Sequence, residues 1–173
     1  CDPVKGEKVF SVLAEGNIRK KESLLHKARC QFYRGDWEEA LAALRAIERP
    51  KEKSSLIFQY YNLMAACYDE LGCPERVTEV REKVKGVLNG MKEKSPQVRN
   101  GRQLLNVIDG ILTFHRGSYT RSYEIYEELF DQSSFPLSRM TALMKMAKMD
   151  ATTGAVRSAI DHCEYILDAG GNT

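Results

Sequence analysis

The sequence predicts an all-α repeat array of about four helix-turn-helix hairpins, and three observations predict it. Gly recurs at 35, 72, 117 and 154, each time between two apolar-periodic stretches and at intervals of 37, 45 and 37 residues. Small or compact residues recur around it: Ala28, Ala65, Gly110 and Ala147 stand seven positions before, and Ala40, Val77, Ser122 and Ala159 five after. Pro follows a polar or small residue at Asp2-Pro3, Cys73-Pro74 and Ser95-Pro96, where a helix can begin without losing an intrahelical hydrogen bond. No strand is needed to account for any segment.

Each element follows from these signals. Asp2-Pro3 opens a helix over 3–15, and Gly16 punctuates it. A second runs over 17–34 to Gly35, a residue that adopts the left-handed conformation ending a helix without a Cβ penalty. Its return partner occupies 36–48, and the next pair 53–71 and 74–93 around Gly72. Two lengthened helices meet between Asn89-Gly90 and Ser95-Pro96, so 96–116 and 118–131 form the third hairpin around Gly117. Phe135-Pro136, with Ser134 nearby, opens 135–153, and 155–169 returns after Gly154. Gly86 and Gly101 weaken their surroundings and are places where these helices would break early. Twelve after each Gly stands an apolar residue, Ile47, Val84, Leu129 or Ile166; nine after, Arg81 departs from Leu44, Tyr126 and Cys163.

At 173 residues the chain suffices for one continuous domain over 1–173. Hydrophobic residues at 43% and charged residues at 29% exclude a disordered or fibrous class. A formal charge of +2 is too balanced to make nucleic acid or an anionic membrane the main partner, and no apolar run is long enough to span a bilayer. The opening Cys1, with no signal-peptide pattern, suggests a piece of a longer protein. Five cysteines without close pairing fit neither a disulfide framework nor a zinc site, and imply a reducing compartment.

The arrangement resembles the tetratricopeptide repeat (TPR) family. Arg34-Gly35-Asp36-Trp37-Glu38-Glu39-Ala40-Leu41 is similar to the family's helix-turn-helix centre, and Tyr61, Met64, Ala65, Tyr68 and Gly72 to its first-helix pattern. The resemblance covers about residues 20 to 168 and departs from the pattern at Lys27, Asp109 and Asp150. It implies a right-handed α-α superhelix whose concave face is built from the first helix of each hairpin. Carried over, that face holds Glu22, Leu25, Arg29 and Phe32, then Gln59, Asn62, Ala66 and Asp69. Leu104, Val107, Ile111 and Phe114 follow, then Thr141, Met144, Lys148 and Ala151. The binding candidates it implies are Arg29, Asn62, Leu104, Val107, Ile111, Phe114, Met144 and Lys148. Leu25, Leu104 and Ile108 stand where the family's chaperone-tail clamp needs Lys or Arg, which disfavours that ligand. The apolar stripe of the third hairpin needs a cover: the lengthened helices, the N-terminal segment with Val9, Phe10 and Leu13, or an apolar partner helix.

A closer resemblance is to the repeat region of the twelfth-subunit family of the transport protein particle (TRAPP), a vesicle-tethering complex. Leu71-Gly72-Cys73-Pro74-Glu75-Arg76-Val77, the basic helix with Lys83-Val84-Lys85, then Gly101-Arg102 and a hairpin centred on Tyr119 carry it. It implies a peripheral scaffold subunit in the cytoplasm or on Golgi or ER-Golgi membranes.

Reactive constellations are sparse. Asp161-His162-Cys163 has the residue types of a hydrolase relay, but helical neighbours are rotated by about 100° and do not face one another. Cys73, at a helix start, is the cysteine best placed to react, with capping as its simpler role. The basic stretch of Arg81, Lys83, Lys85, Lys92, Lys94, Arg99 and Arg102 reads as a solvated helix face or a dock for an acidic partner or lipid surface, and Met140, Met144, Met146 and Met149 as core filling by default or an adaptable contact surface. No catalytic residue, metal or cofactor is expected. The sequence therefore points to a non-enzymatic scaffold whose partners are other protein subunits or a peptide or helix segment, with no nucleic acid and no direct membrane insertion. Alternatives are a peptide-binding co-chaperone or adaptor module using its groove, and a cysteine-dependent enzyme built on Cys73.

Overall fold

The structure, a computed structural model, describes residues 2–17, 19–47, 56–93, 95–132 and 136–171. Among the described residues there are nine α-helices and no strand. They are α1 (Pro3–Glu15), α2 (Lys20–Arg34), α3 (Trp37–Arg45), α4 (Ile57–Glu70), α5 (Pro74–Asn89), α6 (Pro96–His115), α7 (Tyr119–Gln132), α8 (Pro136–Thr153) and α9 (Val156–Gly171). The expected helix end at Glu48, the start near Lys53 and the Ser134-Phe135 start lie outside the described residues, as does Cys1.

The four glycine turns are built alike. Gly35, Gly72, Gly117 and Gly154 have φ of 84°, 67°, 77° and 84°, the left-handed region in which a side chain would be strained. At each, the Gly N–H and the N–H after it bond back to carbonyls three and five residues earlier. Gly35 N donates to Phe32 O and Asp36 N to Gln31 O, both at 3.0 Å; at the next turn Gly72 N reaches Asp69 O at 3.0 Å and Cys73 N reaches Tyr68 O at 2.9 Å. This Schellman geometry satisfies carbonyls that the helix end leaves unpaired and reverses the chain within two residues.

The helix starts divide by whether a side chain reaches back. Asp2 Oδ1 accepts from Val4 N at 3.0 Å, and Ser95 Oγ from Gln97 N at 3.3 Å, as capping requires. Cys73 holds the cap position of α5 but makes no capping bond; its Sγ donates to Leu71 O at 3.6 Å, and its N–H belongs to the turn. α2 begins at Lys20 rather than 17 because Asn17 (φ 57°) and Arg19 (φ 42°) are left-handed and interrupt the helical course. α5 stops at Asn89, four residues short of expectation, where Gly90 N and Met91 N bond three residues back and tighten the last turn. Gly86 and Gly101 lie within α5 and α6 without breaking them.

The chain divides into two compact units, Cys1–Leu104 and Leu105–Thr173, within the span that the sequence treats as one domain. In the first, α1 packs on α2, α2 on α3 and α4, α3 on α4, and α4 on α5. Consecutive hairpins thus touch through their first helices and through the return helix of one against the first of the next. Ala28, Ala65, Ala40 and Val77 are wholly buried, so backbones approach closely where the repeat calls for small or compact groups. Val77, Val80, Val84 and Val87 form the inner stripe of α5, each burial contributing about 1.5–3 kcal/mol. Gly101 sits so near Leu88 and Phe58 that a Cβ would stand 2.5–2.7 Å from them, which explains a glycine inside a helix. Glu7 ties α1 to α2 by accepting from Gln31 Nε2 at 2.9 Å and pairing with Arg34. In the second unit α8 packs on both α7 and α9, and Ser122 Oγ and the Tyr126 hydroxyl of α7 donate to carbonyls of Gly110 and Val107.

Candidate functional site

The residues expected on the concave face meet different fates. In the first unit, the Arg29 guanidinium on α2 donates to Gln59 Oε1 on α4 at 3.3 Å, and Asn62, exposed, stands one position short of a turn beyond Gln59. The two first helices therefore present a continuous polar strip, while Leu25 and Asp69 sink into the interior. Leu104 is buried too. In the second unit Val107 and Ile111 are core, Ile111 only 2% exposed, and Phe114 is half-buried with its ring 5.2 Å from Tyr119. An apolar stripe at helical spacing is drawn inward by the area it removes from water, so these three aliphatic residues are packing groups rather than an open surface. Within the first unit the N-terminal helix packs on α2, where Phe10 stacks on His26 at 4.9 Å. Met144 is 53% exposed and Lys148 exposed, so α8 keeps an accessible edge. Met146 and Met149 fill the core.

A polar cluster joins α7, α8 and α9 in the second unit. Asp150 on α8 is 8% exposed; Ser158 Oγ donates to its Oδ2 at 2.6 Å, and His162 Nδ1 lies 3.1 Å from the same oxygen. Tyr123 on α7 holds its ring 6.3 Å from that of His162. Burial, and then the Asp150 carboxylate, push the Tyr123 phenol above its ordinary range. The sequence carried a signal for this cluster: Asp150 breaks the apolar pattern of its helix, and Ser158 and His162 are four apart, on one face of the next. Ser158 and His162 converge on one carboxylate oxygen, so the hydroxyl proton is directed to Asp150 and not to the imidazole. The arrangement fastens helices together and lacks the serine-to-histidine bond of a nucleophilic relay. Asp161 turns to Arg157 at 3.2 Å, and Cys163 is exposed, so the three consecutive residues face three ways.

The cysteines differ by burial. Cys67 is wholly buried and its thiol is pushed up to about 12; desolvation likewise raises Cys30. Cys73 is half-buried and held to Leu71 O. In the basic stretch Arg81 and Lys85 both pair with Glu82, at 3.3 and 3.0 Å, and Arg102 with Glu93 at 3.4 Å, which disperses the charge along solvated helix faces. Among the described residues no three His, Cys, Asp or Glu side chains are placed to hold a metal ion, and no helix is long and apolar enough to cross a membrane. Comparison of the chain with protein-family models, with curated proteins and with solved structures finds no match.

Proposed function

We propose that this chain is a non-enzymatic interaction scaffold: a TPR-like stack of helical hairpins that joins protein subunits within a larger assembly. The observation that carries the reading is the fourfold repetition of one glycine turn, identical in φ sign and hydrogen bonding, between two helices that touch each other across it. Such hairpins provide extended accessible surface from a modest core, which is the physical use of repeat arrays. The Arg29–Gln59 strip with Asn62, and separately the α8 edge with Met144 and Lys148, are the surfaces assigned to partners. The sharing of one Asp150 oxygen by Ser158 and His162 supports a structural role for the most enzyme-like cluster. The resemblance to the TRAPP repeat region favours vesicle tethering, in the cytoplasm and peripheral to Golgi or ER-Golgi membranes, as the setting.

Affinity purification of the natural full-length protein followed by mass spectrometry tests this. Several co-purifying subunits are expected, with loss of one or more on Asn62→Arg or Met144→Glu while the helical circular dichroism is unchanged. Recovery of the protein alone, or a partner set indifferent to both substitutions, would overturn the proposal. Ile111 is unsuitable for such a test because Glu there would be buried without a partner.

A further inference from the structure

The outer face of α9 carries an apolar stripe with no covering group among the described residues. Val156, Ile160, Cys163 and Leu167 are spaced four, three and four apart, which puts them on one line along the helix. All four are exposed, Val156 by 61%, Ile160 by 47% and Leu167 by 73%. The helix packs on α8 through a different side, with His162 turned to Asp150, and Tyr165 meets Phe130 of α7. Isolated exposed apolar residues are ordinary; four in register on one helix are the pattern of a coiled-coil seam.

We propose that α9 docks against α9 of a second copy of this chain in antiparallel register, forming a two-fold dimer. The occupant follows from the charges beside the stripe. In this register Val156 meets Leu167 of the partner copy, and Ile160 meets Cys163 of the partner copy. The flanking positions then set Arg157 against Glu164 of the partner copy, twice by symmetry. On the other flank Ala159 lies against Ile166 of the partner copy, a small group opposite a large one. Arg157 already pairs with its own Asp161 at 3.2 Å, with its side chain 90% exposed, so it stands ready between two carboxylates. A parallel pairing sets Glu164 against Ala159 and brings no opposite charges together. The stripe is therefore its own complement only when reversed, the condition for a closed isologous interface. The inference is independent of the proposed scaffold role.

Sedimentation velocity or light scattering of the 173-residue chain, over a wide concentration range, is the test. A concentration-dependent dimer is expected, abolished by Leu167→Glu with unchanged helical content, since that side chain contributes nothing to the monomer's core. Arg157→Glu weakens association on the order of tenfold by turning two attractive pairs repulsive, and the double variant Arg157→Glu/Glu164→Arg restores it. Mild oxidation of Ile160→Cys gives a disulfide-linked dimer through Cys163 of the partner copy; efficient Cys163-to-Cys163 linkage in the unaltered chain would indicate the parallel pairing and sink the proposal. A monomer at every concentration, or a dimer indifferent to Leu167→Glu, also overturns it.

Discussion

Gly110 and Tyr126 occupy one space: a Cβ on Gly110 would stand 2.6 Å from Tyr126 Cζ and 2.9 Å from its hydroxyl oxygen. That hydroxyl donates to Val107 O at 3.2 Å, and Ser122 Oγ donates to Gly110 O at 2.8 Å. The other hairpins place Ala where this one has Gly, and none of them puts a Tyr at the position of Tyr126. The missing methyl and the large ring are thus two halves of one packing solution.

Gly110→Ala should destabilise, although alanine is the better helix former. Overpacking costs about 1–3 kcal/mol, against a propensity gain of up to about 1 kcal/mol. Tyr126→Leu should be destabilising alone yet partly compensate Gly110→Ala, giving a non-zero coupling in a urea double-mutant cycle. A raised midpoint for Gly110→Ala would show that the two residues do not share this space in solution.

Glycines with opposite backbone needs should respond oppositely to one substitution. Gly35 and Gly86 both have open space at the Cβ position, but only Gly35 has positive φ. Gly35→Ala is expected to cost roughly 1–2 kcal/mol through left-handed strain, and Gly86→Ala to stabilise by up to about 1 kcal/mol. Thermal or urea denaturation of the pair checks both signs.

Alkylation should order the thiols. Among the described cysteines, Cys163 is exposed and is expected to react first in native chain dilute enough to be monomeric. Cys67, buried and shifted to about 12, should be labelled only at the rate of opening or unfolding. Peptide mapping after a timed iodoacetamide pulse measures this, and early labelling of Cys67 would contradict its burial.

His26 should make stability fall in mild acid. Burial first, and then the Arg29 charge, lower its pKa below the ordinary 6.5, with Glu22 opposing. The unfolded chain consequently binds the proton more readily than the folded one. Stability from this group is fully present above pH 6.5 and declines as pH drops through the unfolded value toward the folded one. Comparing melting near neutrality and at about pH 5 should show the slope, and His26→Gln should flatten it. An unchanged slope in the variant would assign the effect to other groups.

The chain itself determined the helices and their turns. Gly35, Gly72, Gly117 and Gly154 were legible because a left-handed helix end is a local requirement that few residues meet, and Asp2 and Ser95 because a cap acts over two or three residues. Tertiary packing decided everything that depends on which side of a helix meets which neighbour. Leu104, Val107 and Ile111 form an apolar stripe that reads equally as groove or as core, and only their burial chose core. Asp150, Ser158 and His162 come together because α8 and α9 fold back on one another, a meeting that spacing hints at and the hairpin completes. Periodicity records that a face is apolar; what lies against it is a property of the assembled helices, because burial is measured against atoms distant in sequence.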